Sequence, residues 1–140
     1  MRAFAAAAAL LAAAAAFADE DAFRSPDGVW IVRAAALESA DQHLSRTLHV
    51  LRGDREVATF VESHWFQSNP TMRGSTTWSF RLDGRGELVA IERHVELRRD
   101  YDAKERRRET TTTTTVEHTW NGAAFVAGKP RVVTTSKTLR

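Results

Sequence analysis

The sequence predicts an all-β protein: an antiparallel meander of about eight strands in a strongly curved sheet or open barrel, preceded by a cleaved signal helix. Three observations carry this. Short runs rich in Val, Thr, Trp and Phe recur from Gly28 onward. Gly, Asp and Asn punctuate them at hairpin spacing. No stretch after the N-terminus has the apolar period of an amphipathic helix.

The N-terminus reads as an export signal. Met1-Arg2 gives a positive start, and residues 3–17 are almost unbroken Ala, Leu and Phe. Ala16-Phe17-Ala18 then supplies a small-x-small cleavage pattern before Asp19-Glu20-Asp21. The run is too short and too alanine-rich to be kept as a span, so no stable membrane span is expected after cleavage. The domain plan is therefore a signal peptide at 1–18, a polar lead-in at 19–27 and a single antiparallel β domain at 28–140. The expected location is periplasmic or secreted, by bacterial export.

Composition narrows the function classes. The chain of 140 residues has a formal net charge of +2 and no cysteine. Removing Arg2 with the signal leaves 19 basic and 18 acidic residues, so charge alone implies no polyanion partner. Without cysteine there is no disulfide framework, no thiolate-held zinc and no Fe–S cluster, which suits a bacterial envelope. Asn69-Pro70-Thr71 is not a glycosylation acceptor, because proline occupies the middle place.

Strands are expected near 29–37, 44–51, 56–66, 75–82, 87–101, 105–120, 123–127 and 131–139. Gln67–Gly74, which holds Asn69-Pro70, is expected to be a loop. Residues 33–44 are the least strand-like, since Ala34-Ala35-Ala36-Leu37-Glu38 also suits a helical turn. The six threonines at 110–115 suit a strand, whose pleat accommodates β-branched side chains.

Turn chemistry suggests a register. Gly53-Asp54, Gly84-Arg85, Ala103-Lys104 and Asn121-Gly122 are taken as two-residue loops, although Ala103-Lys104 lacks the glycine such loops prefer. Pairing outward places Phe80 opposite Val89 and Trp78 opposite Ile91. It also pairs Val89 with His118, Ile91 with Val116, Val95 with Thr112, Leu97 with Thr110, and His118 with Phe125. One face is then apolar throughout, and the other collects Thr77, Ser79, Arg81, Glu92, His94, Glu96 and Arg98, with Arg98 opposite Glu109. The first hairpin sets Leu48, Val50, Val57 and Val61 on one side. Such a face must be covered by curling, by a second sheet, or by a second copy in a homodimer.

In this register Arg93 is the odd residue on the dry face. A guanidinium there requires an acid, an open rim or a bound anion. Toward the hairpin tip the same face carries Arg99, Tyr101, Arg106 and Arg108. Arg93, Arg99, Tyr101, Arg106 and Arg108 are thus the candidate ligand-binding residues, lips of a cup for an anionic lipid or envelope polymer. The competing account is ordinary: arginine stems lying over a face that emerges into solvent. Acids interleave the basic residues from Arg98 to Glu109, and that patch has a single aromatic ring, so a nucleic-acid partner is not expected.

Enzymatic signals are weak. There is no Gly-x-Ser-x-Gly elbow, no His-x-His and no His-x-x-x-His. Arg52-Gly53-Asp54 is explained by its hairpin turn. The expectation is a non-enzymatic binding or structural module of the bacterial envelope, without catalytic residues, metal or cofactor. The alternative is a metal-dependent hydrolase using Glu92, His94 and Glu96, which share one strand face.

Overall fold

The computed structural model describes residues 20–68 and 71–139. The expected signal peptide at 1–18 lies outside them. Ten strands follow in order: β1 (Glu20–Arg24), β2 (Trp30–Ala34), β3 (Glu38–Ala40), β4 (His43–Arg52), β5 (Arg55–Ser68), β6 (Thr71–Leu82), β7 (Leu88–Tyr101), β8 (Arg107–Trp120), β9 (Phe125–Ala127) and β10 (Arg131–Thr138). All pairings are antiparallel within one sheet, in the order β1-β2-β4-β5-β6-β7-β8-β10. The short β3 continues the β2 edge along β4, and β9 continues the β10 edge along β8. β1 and β10 do not pair, so the sheet is open.

The all-β antiparallel architecture matches the expectation, with three differences in its elements. The strand expected at 29–37 ends at Ala34, and Glu38–Ala40 forms a separate β3. The polar lead-in contributes β1, and the loop expected at 67–74 is largely strand, with β5 running to Ser68 and β6 starting at Thr71.

The expected register is corrected in the central hairpins, for a specific reason. Asp83 N–H donates to the Glu87 carbonyl at 2.8 Å, and Gly86 N–H donates to the Asp83 carbonyl at 3.0 Å. The Asp83 carboxylate accepts the amides of Arg85 and Glu87 at 2.7 and 3.1 Å. Gly86 takes a left-handed conformation, φ 79°. This is a three-residue loop, a tight turn followed by one left-handed residue. The tip between β7 and β8 repeats it. Asp102 N–H donates to the Arg106 carbonyl, Asp102 accepts the amides of Lys104 and Arg106, and Glu105 has φ 60°.

Each loop holds one residue more than a two-residue turn, and a slip of one exchanges the faces of a strand. Trp78 therefore opposes Glu92, not Ile91, and Phe80 opposes Ala90, not Val89. Across the next hairpin Ala90 meets His118, Glu92 meets Val116, and Arg99 rather than Arg98 meets Glu109. Val95 and Leu97 oppose Thr113 and Thr111 instead of Thr112 and Thr110.

The first and last hairpins err differently. Gly53-Asp54 is the two-residue loop expected, closing Arg52 on Arg55. A bulge beyond it then makes Val50 oppose Ala58, which brings Phe60 beside Leu48 and leaves Val61 52% exposed. At the last hairpin Trp120 opposes Phe125 directly, because Asn121 holds a four-residue loop by accepting the amides of Ala123 and Ala124. That is a shift of two from the expected register, so Phe125 keeps its face.

β5 and β6 pair only from Ser63–Thr76 to Ser68–Thr71. Beyond Ser63 the strands part, and Glu62 spans the gap. Its carboxylate accepts Trp78 N–H at 2.9 Å and Arg46 Nε at 2.8 Å, while the Trp78 indole N–H donates to the Val61 carbonyl at 3.0 Å. The parted halves stack face to face. Phe60 lies on Trp78 with ring centroids 4.1 Å apart, Phe23 meets Phe80 at 6.2 Å, and Trp30 meets Trp120 edge-on at 5.4 Å. Trp30, Val32, Ala34, Leu48, Val50, Leu88 and Trp120 form the buried core.

Parity reveals how this cover is made. In the paired region His64 opposes Ser75, so even-numbered β5 residues share a face with odd-numbered β6 residues. In the core, Phe60 meets Trp78, even against even. The β5–β6 ribbon must twist between the two regions until opposite faces of its strands look at each other.

The two matched loops generate a stability prediction. Glu105→Gly should stabilise the protein by about 1 kcal/mol by relieving its left-handed backbone, and Gly86→Ala should destabilise it by a similar amount. Urea unfolding of both variants checks this, and opposite signs are the expected outcome.

Candidate functional site

The twist that closes the core leaves one stretch of sheet uncovered. Even-numbered residues of β4 and β5 point into the core at one end, and the same face continues outward as Leu44, His64 and Phe66. There it joins odd-numbered residues of β6 and β7. One row runs Leu44, His64, Ser75, Val95 and Thr113, and the next runs Phe66, Arg73, Leu97 and Thr111. The β4 to β7 members of these rows, together with Ser39, Ala40 and Gln42, border an open groove of about 510 Å³. Leu44, Val95 and Leu97 supply an apolar floor, and Phe66 stands at the margin, 45% exposed.

The charge of the groove is one-sided. Arg73 projects from β6 beside Leu97, and His43 and His64 are the other titratable lining residues. Among the described residues no carboxylate lines it. On the opposite face of β5 from His64 and Phe66, Trp65 lies against Gly74 across the β5–β6 ladder, where a β-carbon on residue 74 would come within 2.6 Å of the indole. The glycine thus permits a close approach that seats the ring.

Three of the five candidate residues share the face of this groove. Arg93, Val95, Leu97, Arg99 and Tyr101 alternate along one side of β7, so Arg93 flanks the floor at one end and Arg99 and Tyr101 at the other. Arg93 is exposed between Thr77 and Thr115, and it has no ion pair among the described residues. Arg99 donates Nε to Glu109 at 3.0 Å, and this hydrogen bond is the chief reason the Glu109 carboxyl lies below its ordinary range. Tyr101 is 66% exposed.

Arg106 and Arg108 do not join them, which corrects the expected cup. Arg108 opposes Asp100 on the reverse face and grips it with two hydrogen bonds of 3.1 and 3.2 Å. That pair lowers the Asp100 carboxyl and raises the Arg108 guanidinium. Arg106 belongs to the loop and bonds Asp102 at 3.0 Å. The extra loop residue also moves Thr110 and Thr112 off the Arg93 face.

Glu92, His94 and Glu96 share a strand face, as alternation requires. Glu92 turns to His118, with Oε1 3.1 Å from Nε2, beside the rings of Phe60 and Trp78. His94 bonds the Thr76 hydroxyl at 3.0 Å. Among the described residues no three His, Asp or Glu side chains gather as a metal-binding group. A second cavity, of about 380 Å³, opens where β5 and β6 part, and there Arg46 and Glu62 bond each other. Comparison with known proteins finds no matching family model, no significantly similar curated protein and no matching solved structure.

Arg73 and the groove around it escape the sequence reading, because Gln67–Gly74 reads there as a loop. A usable signal was present: a glycine inside a Thr-rich run, two strands' reach from a Trp-Phe pair, marks a close approach.

The tip charges predict an acid response. Asp100, Asp102 and Glu109 all have native values depressed by hydrogen bonds, foremost from Arg108, from the Arg106 amide and from Arg99 respectively. Their stabilising contribution is complete above the unfolded-state value of about 4 and is lost as the pH falls through the depressed native values. The protection of the Lys104 and Arg106 amides, measured against their intrinsic exchange rates at each pH, should fall on going from neutral pH into that window. Asp102→Asn should flatten the response, since its side chain cannot titrate.

Proposed function

We propose that the protein is an exported, non-enzymatic binding module of the bacterial envelope, periplasmic or secreted, that holds a single-chain anionic amphiphile in the β3–β7 groove. The supporting observation is an apolar floor of Val95 and Leu97 beside the Arg73 guanidinium, in a groove that no carboxylate among the described residues lines. An alkyl chain gains by leaving water for such a floor. An acidic head gains from a guanidinium that can donate two parallel hydrogen bonds. Arg93 and Arg99 extend the positive margin along β7, and Arg99 is already engaged by Glu109. The export reading of residues 1–18 places the module among envelope lipids and anionic polymers. A cleft of a few hundred Å³, mostly apolar with a few placed polar groups, is the common form of a small-molecule site.

Dodecyl phosphate and dodecyl maltoside, titrated below their micelle-forming concentrations, separate the head from the tail. Isothermal titration calorimetry reads the binding of each directly. Arg73→Glu should weaken dodecyl phosphate by about tenfold or more and leave dodecyl maltoside nearly unchanged. Leu97→Asp should weaken both. Equal affinity of wild type and Arg73→Glu for the phosphate, or no saturable binding of either amphiphile, would remove the proposal.

A further inference from the structure

The two edges of the sheet are built differently. At β1 the register shifts at a bulge between Asp21 and Phe23, Asp21 is tied to Arg24 and Arg33, and Phe23 turns in toward Phe80. Such features blunt an edge against further pairing. β10 has neither the bulge nor the inturned ring. It pairs with β8 without a break from Arg131–Thr115 to Thr138–Arg108, and every residue of it is exposed. Val132 and Val133 are 58% and 54% exposed.

The direction of its free groups follows from one hydrogen bond. Leu139 N–H donates to the Arg107 carbonyl at 2.8 Å, so position 139 faces β8. Backbone groups alternate sides along an antiparallel strand. Residues 131, 133, 135 and 137 therefore also spend their amides and carbonyls on β8. Val132, Thr134, Ser136 and Thr138 point theirs outward, a row of donors and acceptors ready for one more strand.

Charge selects the strand. From Asn121 to Arg140 the sequence contains Lys129, Arg131, Lys137 and Arg140 and no acidic residue. Lys137 approaches Glu109 at 3.5 Å, while Lys129 and Arg131 have no ion pair among the described residues. A second copy meeting this edge through its own β10 would bring like charges together. An acidic extended segment would not.

We propose that β10 is a docking edge for an extended, acidic polypeptide segment of another protein, which adds to the sheet as an antiparallel strand. Arg131 and Lys137 lie on one side of β10, six residues apart. On the added strand they sit in non-hydrogen-bonded positions, where facing side chains come closest. The segment recognised therefore carries acids six residues apart, with β-branched residues between them. This surface is separate from the amphiphile groove, and either proposal stands without the other.

The test uses an eight-residue capped peptide of alternating valine and threonine with glutamate at positions 2 and 8, against the same peptide with lysine at those positions. The glutamate peptide should bind at least about tenfold more tightly, with an affinity that falls as salt rises. On binding, the amides of Val132, Thr134, Ser136 and Thr138 should become protected from exchange. Thr134→Pro removes only an outward-facing N–H, which an edge strand tolerates, and should abolish binding. N-methylation of the peptide at positions 3 and 5 should do the same with the protein intact. Equal binding of the two charge forms, or full binding of the N-methylated peptide, would overturn the proposal. So would free protein whose outward amides are already protected in a dimer that Thr134→Pro dissociates.

Discussion

Everything about the faces of this sheet depends on the number of residues held in two hairpin loops. Asp83 and Asp102 each clasp two amides ahead of them and force a left-handed residue three positions on, Gly86 in one loop and Glu105 in the other. The loops then contain an odd number of residues, and β7 takes the opposite phase from the one a two-residue turn would impose. Ala90 and Glu92 look toward the core, while Arg93, Val95 and Leu97 look away from it. A few hydrogen bonds at the tips thus decide which side chains line the groove.

The second constraint is the twist in the β5–β6 ribbon. A ten-stranded meander with an oily face needs a cover, and among the described residues no helix provides one. The sheet covers itself by parting at Ser63–Thr76, with Glu62 supplying an acceptor to the Trp78 amide that a neighbouring strand would otherwise satisfy. The same carboxylate engages Arg46, so a partly buried charge at the parting is paired. Because opposite faces of the ribbon meet in the core, the β4–β5 inner face runs out into the open at Leu44, His64 and Phe66. Core and groove are two ends of one surface.

The strands and their antiparallel order were legible in the sequence, since Val, Thr and aromatic runs between Gly and Asp turns admit little else. Trp78, Val116, His118, Trp120 and Phe125 were legible as one face, because each lies on a strand whose parity the error did not change. β7 was not legible. Val89 and Ala90 are both buried, and Ile91, Glu92, His94 and Val95 are all half-buried, so burial does not separate its even residues from its odd ones and only the loop length decides between them. Of the candidate residues, Arg93, Arg99 and Tyr101 stay together because they alternate on one strand, whatever its phase. Arg106 and Arg108 follow the hairpin tip, so the extra residue there parts them from the others. The segment holding Arg73 was hidden by Asn69-Pro70, which signals a loop more strongly than Thr71–Thr77 signals a strand.

The phase of β7 is therefore the claim on which the groove, its charged margin and the core all stand. Interstrand Hα–Hα contacts measured by nuclear Overhauser spectroscopy test it most directly, because only residues facing each other in non-hydrogen-bonded pairs bring these protons close. The pairing described here predicts strong cross-peaks from Trp78 to Glu92 and from Phe80 to Ala90. Cross-peaks from Trp78 to Ile91 and from Phe80 to Val89 in their place would contradict it.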